Sequence, residues 1–208
     1  KNADALEVVH LPAGVGPING LTFEGALNLK EINVHPRHQF YQTVDGVLYN
    51  KNLTRLIAYP NGKTDKTFIV PDNVTAISRY AFYMNHVIEE VIIHEHFPEE
   101  NTIGLTGMRS VKSFTVNENT QELYAINGIL YSQNHYLKVY PNGKEDQIYT
   151  MPNDMVGIGD MAFALNNHLT QINFSNSLTD IGSYAFFKTT SLKIIDIPSS
   201  IQMISYGV

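Results

Sequence analysis

The sequence predicts a β-rich solenoid, a stack of short strands built from coils of about 23 residues, within the size range of known solenoid repeats. Three observations support this fold class. A strand pattern, L-x-x-h-x-h with Leu, Ile or Val first and h a large apolar residue, recurs six times. A second pattern, I-x-x-x-[AT]-F, occurs four times at a fixed distance from the strands. The pentapeptide YPNGK occurs at 59–63 and again at 140–144, within longer similar flanks. Such internal periods are typical of repeat proteins.

The strand pattern places its last two apolar residues on one face of a short strand. A six-residue strand cannot bury that face alone, so we expect the strands to stack about 4.8 Å apart in continuous ladders. The strands come in three successive pairs, and within each pair the second strand starts one coil length after the first. The six copies are LEVVHL (6–11), LKEINV (29–34), IEEVII (88–93), VKSFTV (111–116), LTQINF (169–174) and LKIIDI (192–197). One predicted inward ladder is Val9, Ile32, Val91, Phe114, Ile172 and Ile195.

The second pattern predicts the back of each coil. It reads INGLTF (18–23), ISRYAF (77–82), IGDMAF (158–163) and IGSYAF (181–186), and the next strand pattern starts six residues after each Phe. We expect the four phenylalanines to be buried, with a small residue before each where the backbone turns closely. A fifth copy, starting at Ile103, is three residues short and has Leu105 or Met108 in place of the Phe.

Two longer segments interrupt the strand pairs. GVLY and LIAY in the first, and their counterparts in the second, are short β-type runs separated by Asn-rich loops, which predicts an inserted β-hairpin. YPNGK then follows as a turn, with Asn-Gly suited to positive φ and Pro ending the preceding strand. On this interpretation Tyr59 and Tyr140 contribute less to stability than Phe82 and Phe163.

The domain organisation follows from the duplication. We expect one solenoid over residues 1–208, internally duplicated at about 27–108 and 109–190, without a linker near 103–111. The first residue is Lys, and the last residues, ISYGV, begin another I-x-x-x-[AT]-F pattern. We therefore expect the chain to be part of a longer protein.

Composition limits the classes of partner. Net charge is −6 and no Lys/Arg cluster occurs, so we do not expect a nucleic acid partner. No apolar run approaches the roughly 18 residues of a membrane span. Cysteine is absent, which excludes disulfides, thiolate zinc sites and cysteine catalysis.

The combined string P-x-x-V-x-x-I-G-x-x-A-F followed by a strand resembles the BspA-like (Treponema-type) leucine-rich repeats of bacterial surface proteins. The unit IGSYAFFKTTSLKIIDIPSSIQM is the best copy, and the inserted DGVLY…YPNGK segment is also similar to one in that family. The resemblance implies a right-handed leucine-rich-repeat coil and an exported, non-catalytic protein of the cell surface. It also implies adhesion to host or bacterial proteins, and it fixes no binding residues.

Few residues suggest chemistry. His94 and His96 in HEHFPEE, with Glu99 and Glu100 nearby, could hold Zn²⁺, but a solvated loop is the simpler interpretation. His35 and His38 have Asn117 and Thr120 as counterparts in the second copy, which favours loop residues over catalysis. No strong catalytic signature is present, so we predict no enzyme, cofactor or metal site.

The candidate ligand-binding face is the outward side of the stacked strands, since solenoids commonly bind along such a surface. The predicted residues are Glu31, Asn33, Glu90, Ile92, Ser113, Thr115, Gln171, Asn173 and Asp196. The leading hypothesis is an extracellular or cell-surface module that binds a host or bacterial protein or a glycan. The alternative is a structural spacer without a ligand. An enzyme comes third and rests only on His94 and His96.

Overall fold

The computed structural model describes residues 3–207, which form a β-solenoid of about nine turns. Lys1, Asn2 and Val208, at the ends of the predicted domain, lie outside the described residues. Within the described range there are two 3₁₀ segments, Gly20–Phe23 and Glu99–Leu105, and seventeen short strands. In chain order the strands are β1 (Val8–Leu11), β2 (Glu31–Val34), β3 (Tyr41–Val44), β4 (Val47–Asn50), β5 (Arg55–Ala58), β6 (Thr67–Ile69), β7 (Ala76–Ile77), β8 (Glu90–Ile93), β9 (Ser113–Val116), β10 (Leu123–Ile126), β11 (Ile129–Ser132), β12 (Tyr136–Val139), β13 (Ile148–Thr150), β14 (Gly157–Ile158), β15 (Gln171–Asn173), β16 (Asp180–Ile181) and β17 (Met203–Ile204).

Seven of these strands form what we call the front ladder: β1, β2, β6, β8, β9, β13 and β15. Each pairs in parallel with a strand one coil away along the chain, as in β1 with β2, β8 with β9 and β13 with β15. Val91, for example, is opposite Phe114. The predicted solenoid and its period are confirmed. The predicted continuous ladder is wrong, because the inserted segments divide these strands into three sheets.

Two front strands, β6 and β13, did not appear in the sequence pattern. They lie one coil before β8 and β15, with Asp65 and Asp146 where the pattern has its leading Leu. The hydroxyl of Tyr59 donates to Asp65 Oδ2 at 3.0 Å, and that of Tyr140 donates to Asp146 Oδ2 at 3.1 Å. The carboxylate thus serves as acceptor for a tyrosine whose ring is in the core, and this role replaces the apolar contact of a Leu.

The predicted sixth strand, at 192–197, is not formed. Leu192 and Ile195 nevertheless pack against the neighbouring core, as the inward positions of the pattern require. Two side chains can pack against a core without the backbone pairing of a strand. The apolar positions of the pattern are therefore used at 192–197 although no strand forms there.

A second stack, the rear ladder, consists of β7, β14, β16 and β17. Ile158, Ile181 and Ile204 are consecutive partners in it, each one coil after the last. These are leading isoleucines of the I-x-x-x-[AT]-F pattern, and each is the second residue of a two-residue strand, as is Ile77 in β7. Ile18, which starts the first copy, does not lie in a strand. β12 of the second insertion pairs with β14, so this insertion and the rear strands β14, β16 and β17 form one six-stranded sheet. β7 pairs with β5 in the four-stranded sheet of the first insertion.

Each insertion is a three-stranded antiparallel meander, β3–β5 in the first copy and β10–β12 in the second. The predicted hairpin corresponds to β4–β5 and β11–β12 and is confirmed, with an additional strand before it. Asp45–Gly46 and Asn127–Gly128 make the added turns, with φ of 49° and 76° in the first and 53° and 78° in the second. Two successive positive φ values are the mark of a type I′ turn, for which these dipeptides are preferred.

The YPNGK segments form the predicted turns, with Lys63 N donating to Pro60 O at 3.4 Å and Lys144 N donating to Pro141 O at 3.2 Å, but without the predicted positive φ. Among the described residues, positive φ occurs at the Asp-Gly and Asn-Gly turns of the meanders and not at Asn61, Gly62, Asn142 or Gly143. The glycines are needed for close approach, since a Cβ at Gly143 would overlap the carbonyl group of Ser110. The Gly62 and Gly143 amides donate to Leu29 O and Val111 O, both at 2.7 Å. The repeated pentapeptide therefore docks each meander onto the preceding coil.

Three of the four recurring phenylalanines lie in the core, as predicted. Phe82 and Phe163 are fully buried, and Phe186 is 8% exposed. Phe23, near the start of the chain, is only half-buried. Leu105 and Met108 of the short fifth copy are both buried.

β8 and β9 pair across the boundary between residues 108 and 109, and one core cluster contains residues of both copies. The two copies are thus packed together.

Candidate functional site

The outward side of the front ladder, which we call the front face, divides into three groups of predicted residues. Ile32 N donates to Gly46 O at 2.9 Å, and Phe114 N donates to Gly128 O at 2.9 Å. The tips of the two meanders therefore lie beside β2 and β9 and separate the groups. Sequence reasoning placed the predicted residues on one uninterrupted surface, because it did not include the Asp-Gly and Asn-Gly turns in the insertion.

The first group is Glu31 and Asn33 on β2. Asn33 Nδ2 donates to Glu31 Oε2 at 3.4 Å, so the two side chains lie together at the surface. Val8 and His10 of β1 are their partners in the neighbouring coil and are both exposed.

The middle group is the largest and brings four predicted residues together. Glu90 is opposite Ser113, and Ile92 is opposite Thr115. Thr115 Oγ1 donates to Glu90 Oε1 at 3.1 Å. Ile69 of β6 is the partner of Ile92 and is 65% exposed, which extends this group by an aliphatic side chain that the sequence pattern missed.

A row of charges borders the middle group. Glu89 accepts from Lys66 Nζ at 2.6 Å and from Lys112 Nζ at 2.7 Å, one lysine from each neighbouring coil. Hydrogen bonds from Lys112 and Lys66, with their charges, lower the pKa of the Glu89 carboxyl to about 2. The same contact raises the pKa of Lys112. Glu7 and Lys30 make a similar pair at 3.0 Å between β1 and β2.

The third group lies on β13 and β15. Gln171 Nε2 donates to Asn173 Oδ1 at 2.7 Å, and Asn173 Nδ2 donates to Thr150 Oγ1 at 3.0 Å. Asp196 is exposed but lies in the segment that does not form a strand. Ile148, the partner of Gln171, was also missed by the pattern and is 57% exposed. The coil spacing, counted back from Ile92 and Gln171, could have identified Ile69 and Ile148.

His94 and His96 do not form a metal site. His94 Nδ1 accepts from His96 N at 3.2 Å, and His94 Nε2 is 3.0 Å from Val74 O. Both ring nitrogens of His94 thus contact backbone groups. His96 is exposed, and its Nε2 lies 3.3 Å from Glu95 Oε1. Within residues 3–207 no group of three or more His, Cys, Asp or Glu side chains is placed to bind a metal ion.

A cleft of about 320 Å³ runs over the rear ladder. Tyr136 lies across Gly157, where any Cβ would overlap its ring, and Asp160 and Asp180 border the cleft. Burial, with the negative charge of Asp180, raises the pKa of the Tyr136 hydroxyl. Sequence reasoning assigned no role to this surface.

A second cleft, of about 410 Å³, lies between the first meander and β6. Val44, Asp45 and Val47 form one wall, and Thr67 and Ile69 form the other. We call it the meander cleft.

In the part of the chain that the structure describes, no helix is long and apolar enough to cross a bilayer.

Comparison with known proteins agrees with the repeat architecture. Residues 1–138 and 142–208 match the BspA type leucine rich repeat region, in six copies. Comparison with curated protein sequences gives no match.

Two solved structures share the fold. A leucine-rich repeat protein from Eubacterium ventriosum is 20% identical, with a TM-score of 0.56 over 95% of this chain and 56% of that one. A leucine rich cell surface protein from Faecalibacterium prausnitzii is 18% identical, with a TM-score of 0.53 over 94% of this chain and 62% of that one. The chain thus spans less than two thirds of the length of either protein.

Proposed function

The chain belongs to the BspA-type leucine-rich-repeat family, and from this premise we propose that it is a non-catalytic binding module at the bacterial cell surface. Its ligand in this proposal is an extracellular protein or glycan and not a nucleic acid, in keeping with the net charge of −6. The solved protein from Faecalibacterium prausnitzii is described as a cell surface protein, which supports the location.

The observation that carries the proposal is the chemistry of the middle group on the front face. Ile69 and Ile92 adjoin in neighbouring strands, Thr115 follows Ile92 in the next strand, and Glu90 and Ser113 form the adjacent row of donors and acceptors. An aliphatic centre with a polar rim is the usual anatomy of a protein-binding patch. Single exposed aliphatic residues are common on any surface, so the argument depends on their position within this ordered group.

The alternative function is a structural spacer that carries other domains and has no ligand. The cross-strand pairs of Glu89 with Lys66 and Lys112 would suit such a stalk, because they join three successive coils at the surface. The exposed isoleucines of the front ladder favour binding over this alternative, since a spacer gains nothing by presenting them to water.

The test is binding of residues 1–208 to a glycan array and to a panel of purified extracellular matrix proteins. For any ligand found, the double variant Glu90→Gln/Ile92→Ser should weaken binding at least tenfold. Met203→Ser, which removes an exposed apolar side chain from the rear ladder, is the matched control and should leave binding unchanged. Absence of binding on both panels would favour the spacer.

A further inference from the structure

The strand β6 has an unpaired backbone edge. Glu90 N donates to Lys66 O at 3.1 Å, and Val70 N donates to Ile92 O at 2.9 Å, so Lys66 and Val70 direct these groups toward β8. In a parallel pair, alternate residues direct their N–H and C=O groups to opposite sides. The backbone groups of Thr67 and Ile69 therefore point away from β8. Within residues 3–207, no strand pairs with that edge.

This edge forms one wall of the meander cleft. The facing wall carries Val44, which is 44% exposed, while Ile69 on the edge itself is 65% exposed. The cleft thus combines free main-chain donors and acceptors with aliphatic surface on both sides. An extended peptide that adds a strand to a sheet edge needs both features: main-chain hydrogen bonds for affinity and side-chain contacts for specificity.

The charges in the meander cleft select among such peptides. Lys63 Nζ is 3.4 Å from Asp65 Oδ2 and donates to the carbonyl oxygen of Asp45 at 3.1 Å. Lys63 and Asp65 neutralise each other, which leaves the exposed carboxylate of Asp45 as the remaining charge. A segment with a cationic side chain near this carboxylate is electrostatically complementary to the site.

From this geometry we propose that the meander cleft binds an extended segment of a partner protein by strand addition to β6. The segment has aliphatic side chains at alternate positions and a Lys or Arg beside Asp45. This inference rests on the proposed binding function and names a partner chemistry for it, at the free edge of β6, which adjoins the middle group of the front face and shares Ile69 with it.

The duplication provides a second copy of the edge. Gln171 N donates to Gln147 O at 3.2 Å and Met151 N donates to Asn173 O at 2.9 Å, so the backbone groups of Ile148 and Thr150 point away from β15. Ile126 and Ile148 are 48% and 57% exposed. Asn127 stands in the place of Asp45, while Lys144 and Asp146 pair at 3.5 Å. At these matched positions the two sites differ by the carboxylate of Asp45, while beside them Thr64 and Lys66 of the first copy are replaced by Glu145 and Gln147 in the second.

The experiment titrates ¹⁵N-labelled protein, residues 1–208, with the acetylated and amidated heptapeptide KTVTVTK and follows the amide resonances. We expect the largest shifts at Thr67 and Ile69, with weaker shifts at Ile148 and Thr150. Asp45→Asn, which copies the Asn127 site, should weaken binding at β6 about two- to fivefold, the ratio given by an exposed ion pair. The peptide ETVTVTE should bind β6 more weakly than KTVTVTK does.

Two further tests address main-chain pairing, and the second does so with every side chain of the protein unchanged. Ile69→Pro removes an N–H that takes no part in the β6–β8 pair, so shifts at β6 should disappear while those at β13 remain. The peptide with N-methyl groups on alternate amides tests the same contact with unmodified protein, should the proline variant not fold, and is expected not to bind.

The strand-addition site would be overturned by any of three results. These are equal binding of the methylated and unmethylated peptides, shifts confined to the cleft over the rear ladder, or no shifts at all. The proposed function is tested separately, because the Glu90→Gln/Ile92→Ser variant leaves the β6 edge intact. Loss of matrix or glycan binding in that variant, with no peptide binding to the native protein, would refute the edge site and retain the binding function.

Discussion

The ring of Tyr59 stacks on the ring of Phe82, with 5.0 Å between centroids and 29° between planes. Tyr140 and Phe163 repeat the arrangement at 5.3 Å and 24°. All four rings are buried. The tyrosine of each YPNGK segment and the phenylalanine of the following coil thus form one aromatic unit, present once in each copy of the duplication.

This unit changes the expected importance of the tyrosines. Phe163→Ala should destabilise the protein by about 3–5 kcal/mol, the usual penalty for a core Phe. Tyr140→Ala should cost a similar amount, because Tyr140 is also fully buried, whereas the sequence favoured a smaller effect. Urea denaturation measures both. Tyr140→Phe is the control and should lose only the hydrogen bond to Asp146, about 1 kcal/mol. A Tyr140→Ala variant as stable as Tyr140→Phe would contradict this view of the core.

The buried amide of Asn142 gives a second prediction. Its Nδ2 donates to Met108 O at 2.9 Å and to Ala164 O at 2.8 Å, joining two coils. Asn142→Ala leaves two carbonyl groups without this donor and should cost about 2–4 kcal/mol. Asn61, its counterpart, donates only to Tyr83 O at 3.2 Å, so Asn61→Ala should be the milder change in the same denaturation assay. The reverse order would count against the hydrogen-bond explanation.

The bridged carboxylate of Glu89 predicts a pH dependence. Its folded-state pKa of about 2 lies below the ordinary value of 4.5, so the unfolded chain takes up the proton first as the pH falls. The contribution of Glu89 is therefore complete above about pH 4.5 and is lost toward pH 2. The difference in denaturation midpoint between the native protein and Glu89→Gln should shrink across this window. A difference that stays constant from pH 6 to pH 2 would contradict the assignment.

Pairing across the duplication boundary predicts the pattern of proteolysis. β8 and β9 are joined through four residue pairs, although the copies meet between residues 108 and 109. We expect limited proteolysis to spare the segment 103–111, which in a linker would be cut early. Mass spectrometry of the first fragments provides the measurement. Two stable halves separated at this segment would show that the copies are independent units.

Much of this architecture could be predicted from the sequence, because the fixed coil spacing reports directly on which side chains stack. Ile32, Val91 and Phe82 are buried as that spacing requires. The strands at Phe68 and Tyr149 were missed for a local reason: the pattern's leading Leu is an Asp that binds a tyrosine hydroxyl instead. A side chain that makes a contact outside its own coil can interrupt the sequence pattern while the strand still forms.

The candidate site was less accessible to sequence reasoning. Alternation identified the outward residues Glu90, Ile92 and Thr115, which do lie together. It could not place the tips of the meanders at Gly46 and Gly128 beside the front ladder, since that contact joins an insertion to a coil. The meander cleft arises from the same contact, so it too depends on tertiary structure.

The type I′ turns at Asp45–Gly46 and Asn127–Gly128 also bear on the order of folding. They join strands that are adjacent in the chain, whereas each pairing of the front ladder must first close a loop of about 23 residues, at a greater entropic cost. The meanders are therefore the places where structure can form earliest, with neighbouring coils added to each side as in a one-dimensional polymer. A chain with two such starting points needs to extend each of them by only a few coils before they meet.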